Sequence, residues 1–461
     1  MAFQPKRRFY EALPNTFKAP FGWIPFSLIA GRPYRDVTRR TRAMDRASRE
    51  ELAAYVEDAL GRMLRFACDQ VPAYAGLAGI VGRLKPTEAL KAFPFLDKPT
   101  LQQGFDRYLP KNLHRFPHWE CTTGGTTGNQ LRFYLDDASH SREMAFMHRI
   151  WARAGYTPRS RKATFRGVPF PDLHEGVYWQ ENPIYHELQF SPFHMGEATL
   201  DAYVARLRAF RPEFLHGYPS ALWLLAEYVL RHGIDLGDLS IKAVLLASEA
   251  MYPGQREGFE KAFRCRALSW YGHSERLILG GECEKDSAYH QFPDYGVMEI
   301  VDADDNVVAE DGQKGELVGT GLLNQSLPLI RYRTGDLARR RHHTCACGRA
   351  FDRFDTVEGR WRQEYVVGKS GSKISPSALN MHGRIFDKVI RYQYYQAAPG
   401  RMELRVMATD GFSEQDGRAI QQAFADKVGD ELEVVLRLVE DIPLTDRGKL
   451  RRLIQEIPGM A

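Results

Sequence analysis

The chain has no apolar run of the roughly 20 residues that a bilayer-spanning helix needs. Near its start, Phe21–Ala30 is apolar but short, is interrupted by Pro25 and ends without a small-residue cleavage pattern. It is expected to pack on the core, with surface attachment to a membrane as the alternative, and no integral membrane segment is expected. Cysteine is scarce as well. Six in 461 residues do not frame a disulfide scaffold, so a reducing cytoplasmic setting is expected. Lys and Arg are scattered, with local clusters at Arg39–Arg42 and Arg339–His343. Without a basic stripe interleaved with aromatics, nucleic acid is not an expected partner. The formal net charge of +5 suits small anions better. Internal repeats and low-complexity tracts are missing too, and 44% apolar with 26% charged residues is the make-up of a globular protein.

What is present is an alternation of periods. Ser48–Val71 reads as an amphipathic helix behind a serine cap, with Leu52, Tyr55, Val56, Leu60, Met63 and Leu64 at helical spacing. Residues 84–112, rich in Pro and Lys, read as loops and short turns. Helices are expected over Leu200–Phe210, Ser220–Arg231 and, behind Pro253, Gln255–Phe263, with Ile241–Ala247 as a buried parallel strand. This alternation predicts an α/β core. From Gly296 the texture turns to β-hairpins: Gly296–Val301 and Val307–Val308 flank an Asp/Asn turn, and Glu316–Thr320 follows. A last α+β unit has a strand near Glu403–Met407, a helix over Ser413–Val428 and a strand over Leu432–Val439. The expected division is 1–359 and 360–461.

The segment TTGGTTGNQ, Thr122–Gln130, packs four threonines and three glycines into seven positions, Thr122, Thr123, Gly124, Gly125, Thr126, Thr127 and Gly128. Such a loop can turn successive N–H groups and hydroxyls toward an anion, because glycine permits close approach and positive φ. It is not a Walker A loop, since no Lys-Ser/Thr follows the last glycine. A plain flexible turn is the alternative reading of these residues alone.

The string resembles the phosphate loop of adenylate-forming enzymes. Four further motifs follow in that superfamily's order: WYGHSE at Trp270–Glu275, RYRTGD at Arg331–Asp336, Gly359–Arg360 and RGK at Arg447–Lys449. The segments at 216–226, 247–257 and 359–382 are similar to the phenylacetate–CoA ligase-like branch, above all its capsular-polysaccharide-biosynthesis members. The resemblance implies a large α/β domain with a β-rich subregion and a small mobile α+β domain. It implies an AMP-forming acid ligase that makes an acyl-adenylate from ATP and a carboxylic acid, then transfers the acyl group to a thiol of CoA or a carrier protein. An amine or hydroxyl acceptor is the alternative, and a catalytically silent nucleotide-binding scaffold the second.

By the same resemblance Thr122–Gly128 would hold the phosphates, and Glu275 would bind Mg²⁺ with Ser274 nearby. Tyr271 and Gly272, with Ser248 and Glu249, would take the adenine. Asp336 and Arg360 would meet the ribose, and Lys449 the reacting carboxylate and α-phosphate. His194, in the aromatic stretch Phe165–Tyr185 and its sequel, would touch the acid. Two departures stand out: Asn129 replaces a frequent lysine, and Arg362 and Gln363 replace an acidic hinge pair. Separately, Cys283, His290, Cys345 and Cys347 offer the donors of a closed Cys₃His zinc site, with His342 and His343 as substitutes. Their spacing is not a zinc-finger signature, and four ordinary residues are the alternative.

Overall fold

The computed structural model describes residues 10, 13, 15–123, 131–167, 177–308, 310–341, 344–358, 365–381, 384–443 and 451–457. Gly124–Gly128 with Asn129, His342, His343, Arg360, Arg362, Gln363 and Lys449 lie outside the described residues. The chain divides into two compact, interleaved units. One is Met1–Cys121, Arg132–Pro158 and Leu268–Arg360; the other is Thr122–Leu131, Arg159–Ala267 and Trp361–Ala461.

The first unit opens with helices α1 (Gly31–Met44) and α2 (Arg49–Gln70). The sequence starts α2 where expected because Ser48 and Glu51 cap reciprocally. Ser48 Oγ accepts from the Glu51 amide at 3.2 Å, and the Glu51 carboxylate accepts from the Ser48 amide at 2.8 Å. Its apolar face buries Leu60, Leu64 and Ala67 against Tyr74, Leu90, Phe93 and Ile330. Residues 84–112 differ from the expected loops: they form short helices Pro86–Leu90, Lys98–Gln103 and Phe105–Tyr108. Pro86 and Pro99 sit in first turns, where a missing N–H costs nothing, and Asp97 caps the amide of Thr100. The Phe21–Ala30 segment buries Phe26 and Ala30 but leaves Trp23, Ile24 and Leu28 exposed, so its packing on the core is only partial. Strands β1 (His118–Thr122) and β2 (Arg132–Asp136) pair with each other, and α3 (Ser139–Trp151) follows.

In the second unit, β3 (Lys162–Phe165), β4 (Trp179–Asn182), β5 (Glu187–Phe190), β6 (Phe214–Gly217) and β7 (Ala243–Leu246) alternate with α4 (Glu197–Phe210) and α5 (Pro219–Arg231). β5 and β6 flank β3 in parallel, β7 runs parallel to β6, and β4 is an antiparallel edge. Every residue of β3, β6 and β7 is buried, so these strands show no alternation in sequence. Helix α6 (Gln255–Phe263) ends this α/β part. Strand β8 (Arg266–Gly272) leads the chain back to the first unit.

There β9 (Leu279–Gly281), β10 (Tyr289–Gln291), β11 (Gly296–Val301), β12 (Lys314–Gly321), β13 (Tyr332–Arg341) and β14 (Arg353–Glu358) form an antiparallel sheet with β8. The order is β11-β12-β13-β14-β10-β9-β8. The second unit resumes with the short pair β15 (Val366–Val367) and β16 (Lys373–Ile374). β17 (Val389–Ala398), β18 (Arg401–Ala408), α7 (Glu414–Val428), β19 (Glu433–Leu438) and β20 (Leu453–Gln455) complete it. Their sheet order is β19-β18-β17-β20, and Ile420, Phe424 and Val428 of α7 pack with Tyr394, Met402 and Leu404. Among the described residues no helix is long and apolar enough to cross a membrane.

One buried ion pair fixes where β13 begins. Arg331, at φ +49°, forks onto Glu299 of β11 with N–O distances of 3.0 and 2.9 Å. It also donates to the Phe93 carbonyl at 3.1 Å and lies 3.8 Å from the Phe95 ring centre. The backbone of Leu96 then bridges to Arg331 and Arg333 at 3.0 and 2.8 Å. Glu299→Ala leaves the guanidinium buried without its counter-charge and is expected to cost about 3–5 kcal/mol in urea unfolding. Adding Arg331→Met should recover part of that loss; a Glu299→Ala protein as stable as the parent would disprove the clamp.

Candidate functional site

The glycine loop leaves β1 and returns to β2 through a closed neck. Thr123 donates its amide to the Leu131 carbonyl at 2.9 Å, and its Oγ1 accepts from the Leu131 amide at 3.0 Å. Thr122, the last residue of β1, is buried. Seven residues, 124–130, separate the two neck positions in the sequence, the first five being Gly124–Gly128.

The motifs at Trp270–Glu275 and Arg331–Asp336 meet in the first unit. The sheet curls so that the end of β8 reaches β13, although three strands separate them in the sheet order. Phe354 of β14 fills the inside of the curl, its ring set edge-on to Tyr271 at 5.7 Å. Gly280 of β9 admits that ring: a Cβ there would lie 2.8 Å from two Phe354 ring carbons. Two buried tyrosines then hold the carboxylates crosswise. Tyr271 of β8 donates its hydroxyl to Asp336 of β13 at 2.9 Å, and Tyr332 of β13 donates to Glu275 beyond β8 at 3.3 Å.

Asp336 reaches inward because β13 bulges. Its register against β12 jumps from Arg333↔Val318 to Leu337↔Glu316, so Thr334, Gly335 and Asp336 face one residue of the partner. Gly335 takes φ +74°, which a β-carbon would oppose, and its amide donates to Glu316 at 2.9 Å. Thr334 Oγ1 donates to the Leu317 carbonyl at 2.8 Å and accepts from the Asp336 amide at 3.2 Å. At Glu275 the tautomer of His273 follows from its contacts. Its Nε2 accepts from the Ile278 amide at 3.2 Å, so a neutral ring carries its proton on Nδ1, 3.1 Å from the Glu275 carboxylate. Burial is the largest single influence on Glu275 and works against its ionisation, but the His273 hydrogen bond and charge, a backbone amide and the Lys98 charge together outweigh it and hold the carboxyl below its usual value. Gly272 and Ser274, on either side of His273, are exposed.

In the second unit Ser248 sits just beyond β7 at φ +71°, exposed, with its hydroxyl 3.2 Å from the Arg166 guanidinium. Arg166 also lies over the Tyr218 ring. Glu249 accepts from the Ser220 amide at 3.0 Å, placing its charge at the N-terminus of α5, where the helix dipole favours an anion. His194 stacks on Tyr178 at 4.8 Å, with Nδ1 2.8 Å from Ser191 Oγ. Burial lowers its pKa despite Glu431 and Asp430 nearby, so it is neutral at pH 7.

Cys283, His290, Cys345 and Cys347 converge, their donor atoms all within 4.8 Å of one another. β10 pairs with both β9 and β14; this brings His290 beside the turn after β9 and the β13–β14 loop, across about 55 residues of sequence. Cys283 Sγ lies 3.5 Å from Cys345 Sγ, and Cys347 Sγ 3.4 Å from His290 Nε2. Zinc bonds of about 2.3 Å to sulfur and about 2.0–2.1 Å to nitrogen at tetrahedral angles put neighbouring donors about 3.5–3.8 Å apart, so the set fits that ion. His290 Nδ1 faces the Ala288 carbonyl at 3.2 Å, which orients Nε2 as a ligand should be oriented. All six cysteines are free thiols.

Sequence reasoning missed the supporting residues. His273 and Tyr332 lie inside quoted motifs but were given no role, and Glu299 lay in a stretch read only as a hairpin. The crosswise lock predicts a coupling. In a double-mutant cycle, Tyr271→Phe and Asp336→Asn should be non-additive in stability by about 1.5–3 kcal/mol, the worth of a hydrogen bond to a charged group. Additive losses would break the link.

Comparison with known proteins follows the same line. Residues 366–456 match the CapK C-terminal domain family. A phenylacetate–coenzyme A ligase of Thermus thermophilus is 25% identical over 449 residues, covering 88% of this chain and 97% of that protein. Protein CapK of Staphylococcus aureus is 26% identical over 250 residues, 54% of this chain and 53% of CapK. Among solved structures, a 2-hydroxyisobutyryl-CoA ligase in the postadenylation state has a TM-score of 0.55 at 19% identity, covering 90% of this chain and 91% of that one. It shares the fold. The chain is thus a homologue of the phenylacetate–coenzyme A ligases and of CapK, and it shares the fold of the 2-hydroxyisobutyryl-CoA ligase.

Proposed function

We propose that the chain couples a carboxylic acid to the thiol of coenzyme A in two steps. The carboxylate attacks the α-phosphorus of ATP, pyrophosphate leaves, and the thiol then displaces AMP from the acyl-adenylate. The observation that carries this reading is the crosswise lock, in which Tyr271 of β8 holds Asp336 and Tyr332 of β13 holds Glu275. A carboxylate is a poor electrophile, and both reactants are anionic, so such a site must align them and neutralise charge. Glu275 is assigned the Mg²⁺, which when bound neutralises phosphate charge. Asp336, with Arg360, is assigned the ribose hydroxyls. Thr122–Gly128 is assigned the β- and γ-phosphates through amides and threonine hydroxyls, and Tyr271, Gly272, Ser248 and Glu249 the adenine. Lys449 stabilises the charge that builds on the reacting carboxylate and α-phosphate, and His194 belongs to the acid's wall. The segment 360–461 is the body that reorients between steps.

ATP–pyrophosphate exchange across aryl, fatty and amino acids should respond to at least one acid, with a thioester formed once coenzyme A is added. Lys449→Ala should slow exchange at least about 100-fold while ATP affinity changes little. An acyl product that forms on an amine or a carrier protein and never on coenzyme A would reassign the acceptor. ATP binding with no exchange on any acid would reduce the chain to a nucleotide-binding scaffold.

The Cys283–His290–Cys345–Cys347 set is assigned a structural Zn²⁺. Bound there, the ion ties the β9–β10 turn to the β13–β14 loop, and four protein donors leave no open position for catalysis. Chelator-free protein should contain about one zinc per chain. Cys345→Ser with Cys347→Ser should lose it and lower the melting temperature. Elemental analysis of the parent without zinc sinks the assignment.

A further inference from the structure

Helix α1 and the segment before it carry a surface that the ligase chemistry does not use. The inward side of α1 buries Tyr34, Val37 and Thr41. Arg32, Arg35, Arg39 and Arg42 recur at helical spacing on its other side, and Arg46 continues the row just past the helix end. At 100° per residue the five fall within an arc of about 80°, and all five are exposed. The row is lightly neutralised. Arg32 meets Asp36 at 3.3 Å, whereas Asp45, the other acid on this stretch, is drawn inward to Arg149 and Arg349. Among the described residues Arg39, Arg42 and Arg46 have no ion pair.

Beside this row lies an uncovered apolar segment. Trp23 is 89% exposed, Phe17 66%, Leu28 60% and Ile24 41%, although Phe26 in the same stretch is buried edge-on against Tyr34. The row and the segment are joined where the Arg35 guanidinium donates to the Ser27 carbonyl at 2.9 Å. A tryptophan, a phenylalanine and two aliphatic side chains held in water next to arginines match the chemistry of a headgroup boundary. There aromatic and aliphatic groups enter the acyl edge while cations meet anionic phosphates. Nucleic acid or a soluble polyanion would satisfy the arginines but leave the apolar side chains wet.

We propose that Phe17–Leu28 and the arginine row of α1 dock the enzyme on an anionic lipid bilayer as a peripheral, non-spanning attachment. The full chain should float with phosphatidylcholine vesicles containing a large fraction of phosphatidylglycerol, not with phosphatidylcholine alone, and raised salt should release it. Arg39→Glu with Arg42→Glu should weaken partitioning about 30-fold or more, and Trp23→Ser with Leu28→Ser about tenfold or more. Both variants should keep the parent's circular dichroism and melting temperature, because the altered side chains are exposed. Vesicles should shift the tryptophan emission of the parent to the blue, and Trp23→Phe should abolish most of that shift. Three outcomes overturn the proposal: no flotation with anionic vesicles, equal flotation of the arginine variant, or binding to heparin without binding to vesicles. A stable dimer dispersed by Trp23→Ser would also overturn it, by giving the apolar segment a second copy as its occupant.

Discussion

Two tyrosine hydroxyls, exchanged between strands that are not neighbours, set the geometry on which the proposed site depends. Tyr271 leaves β8 to hold Asp336 on β13, and Tyr332 leaves β13 to hold Glu275 beyond β8. Neither bond could form in a flat sheet, where β8 and β13 would stand four strand spacings, or about 19 Å, apart. The curl is therefore a requirement, and Phe354 packed over Gly280 is its filler. The clamp of Arg331 on Glu299 secures the other side of the same arrangement, because it fixes the residue before Tyr332 to β11 and to the Phe93–Leu96 segment. Register, curl and carboxylate placement thus depend on one another.

The Cys/His cluster uses the same sheet for a different end. Its donors come from a turn, a three-residue strand and the loop between β13 and β14. Short strands are weakly specified by their pattern, and a metal would supply the missing cross-link where the sheet narrows to β9 and β10. Arg153 reinforces that corner from α3's side, donating to the carbonyls of Gly281 and Glu282 at 2.6 and 2.8 Å.

Much of this was legible in the sequence, and for identifiable reasons. Ser48 announced α2 because capping is local chemistry, and the run at Ile241–Ala247 announced β7 because a strand buried on both faces has no polar residue to hide. The family of fold and the class of reaction were legible from motif order. What escaped was non-local. Pro86 and Pro99 read as loop signals until their place in a first turn was visible. His273 and Tyr332 gained a purpose only once the curl put them against Glu275. Glu299 could not be distinguished from any other hairpin acid without knowing that Arg331 is buried beside it. The arginines of α1 looked like a cluster at Arg39–Arg42, since linear reading does not show which of them share a face.

The neck beneath the glycine loop has a mutational consequence. With Thr123 and Leu131 joined to each other by two hydrogen bonds, the ends of β1 and β2 are held together outside the segment 124–130. Substitutions at positions 124–130 leave that join between the strand ends in place. Asn129, where the resemblance expects a lysine, is one such position, and a change there leaves the joined ends of the hairpin untouched.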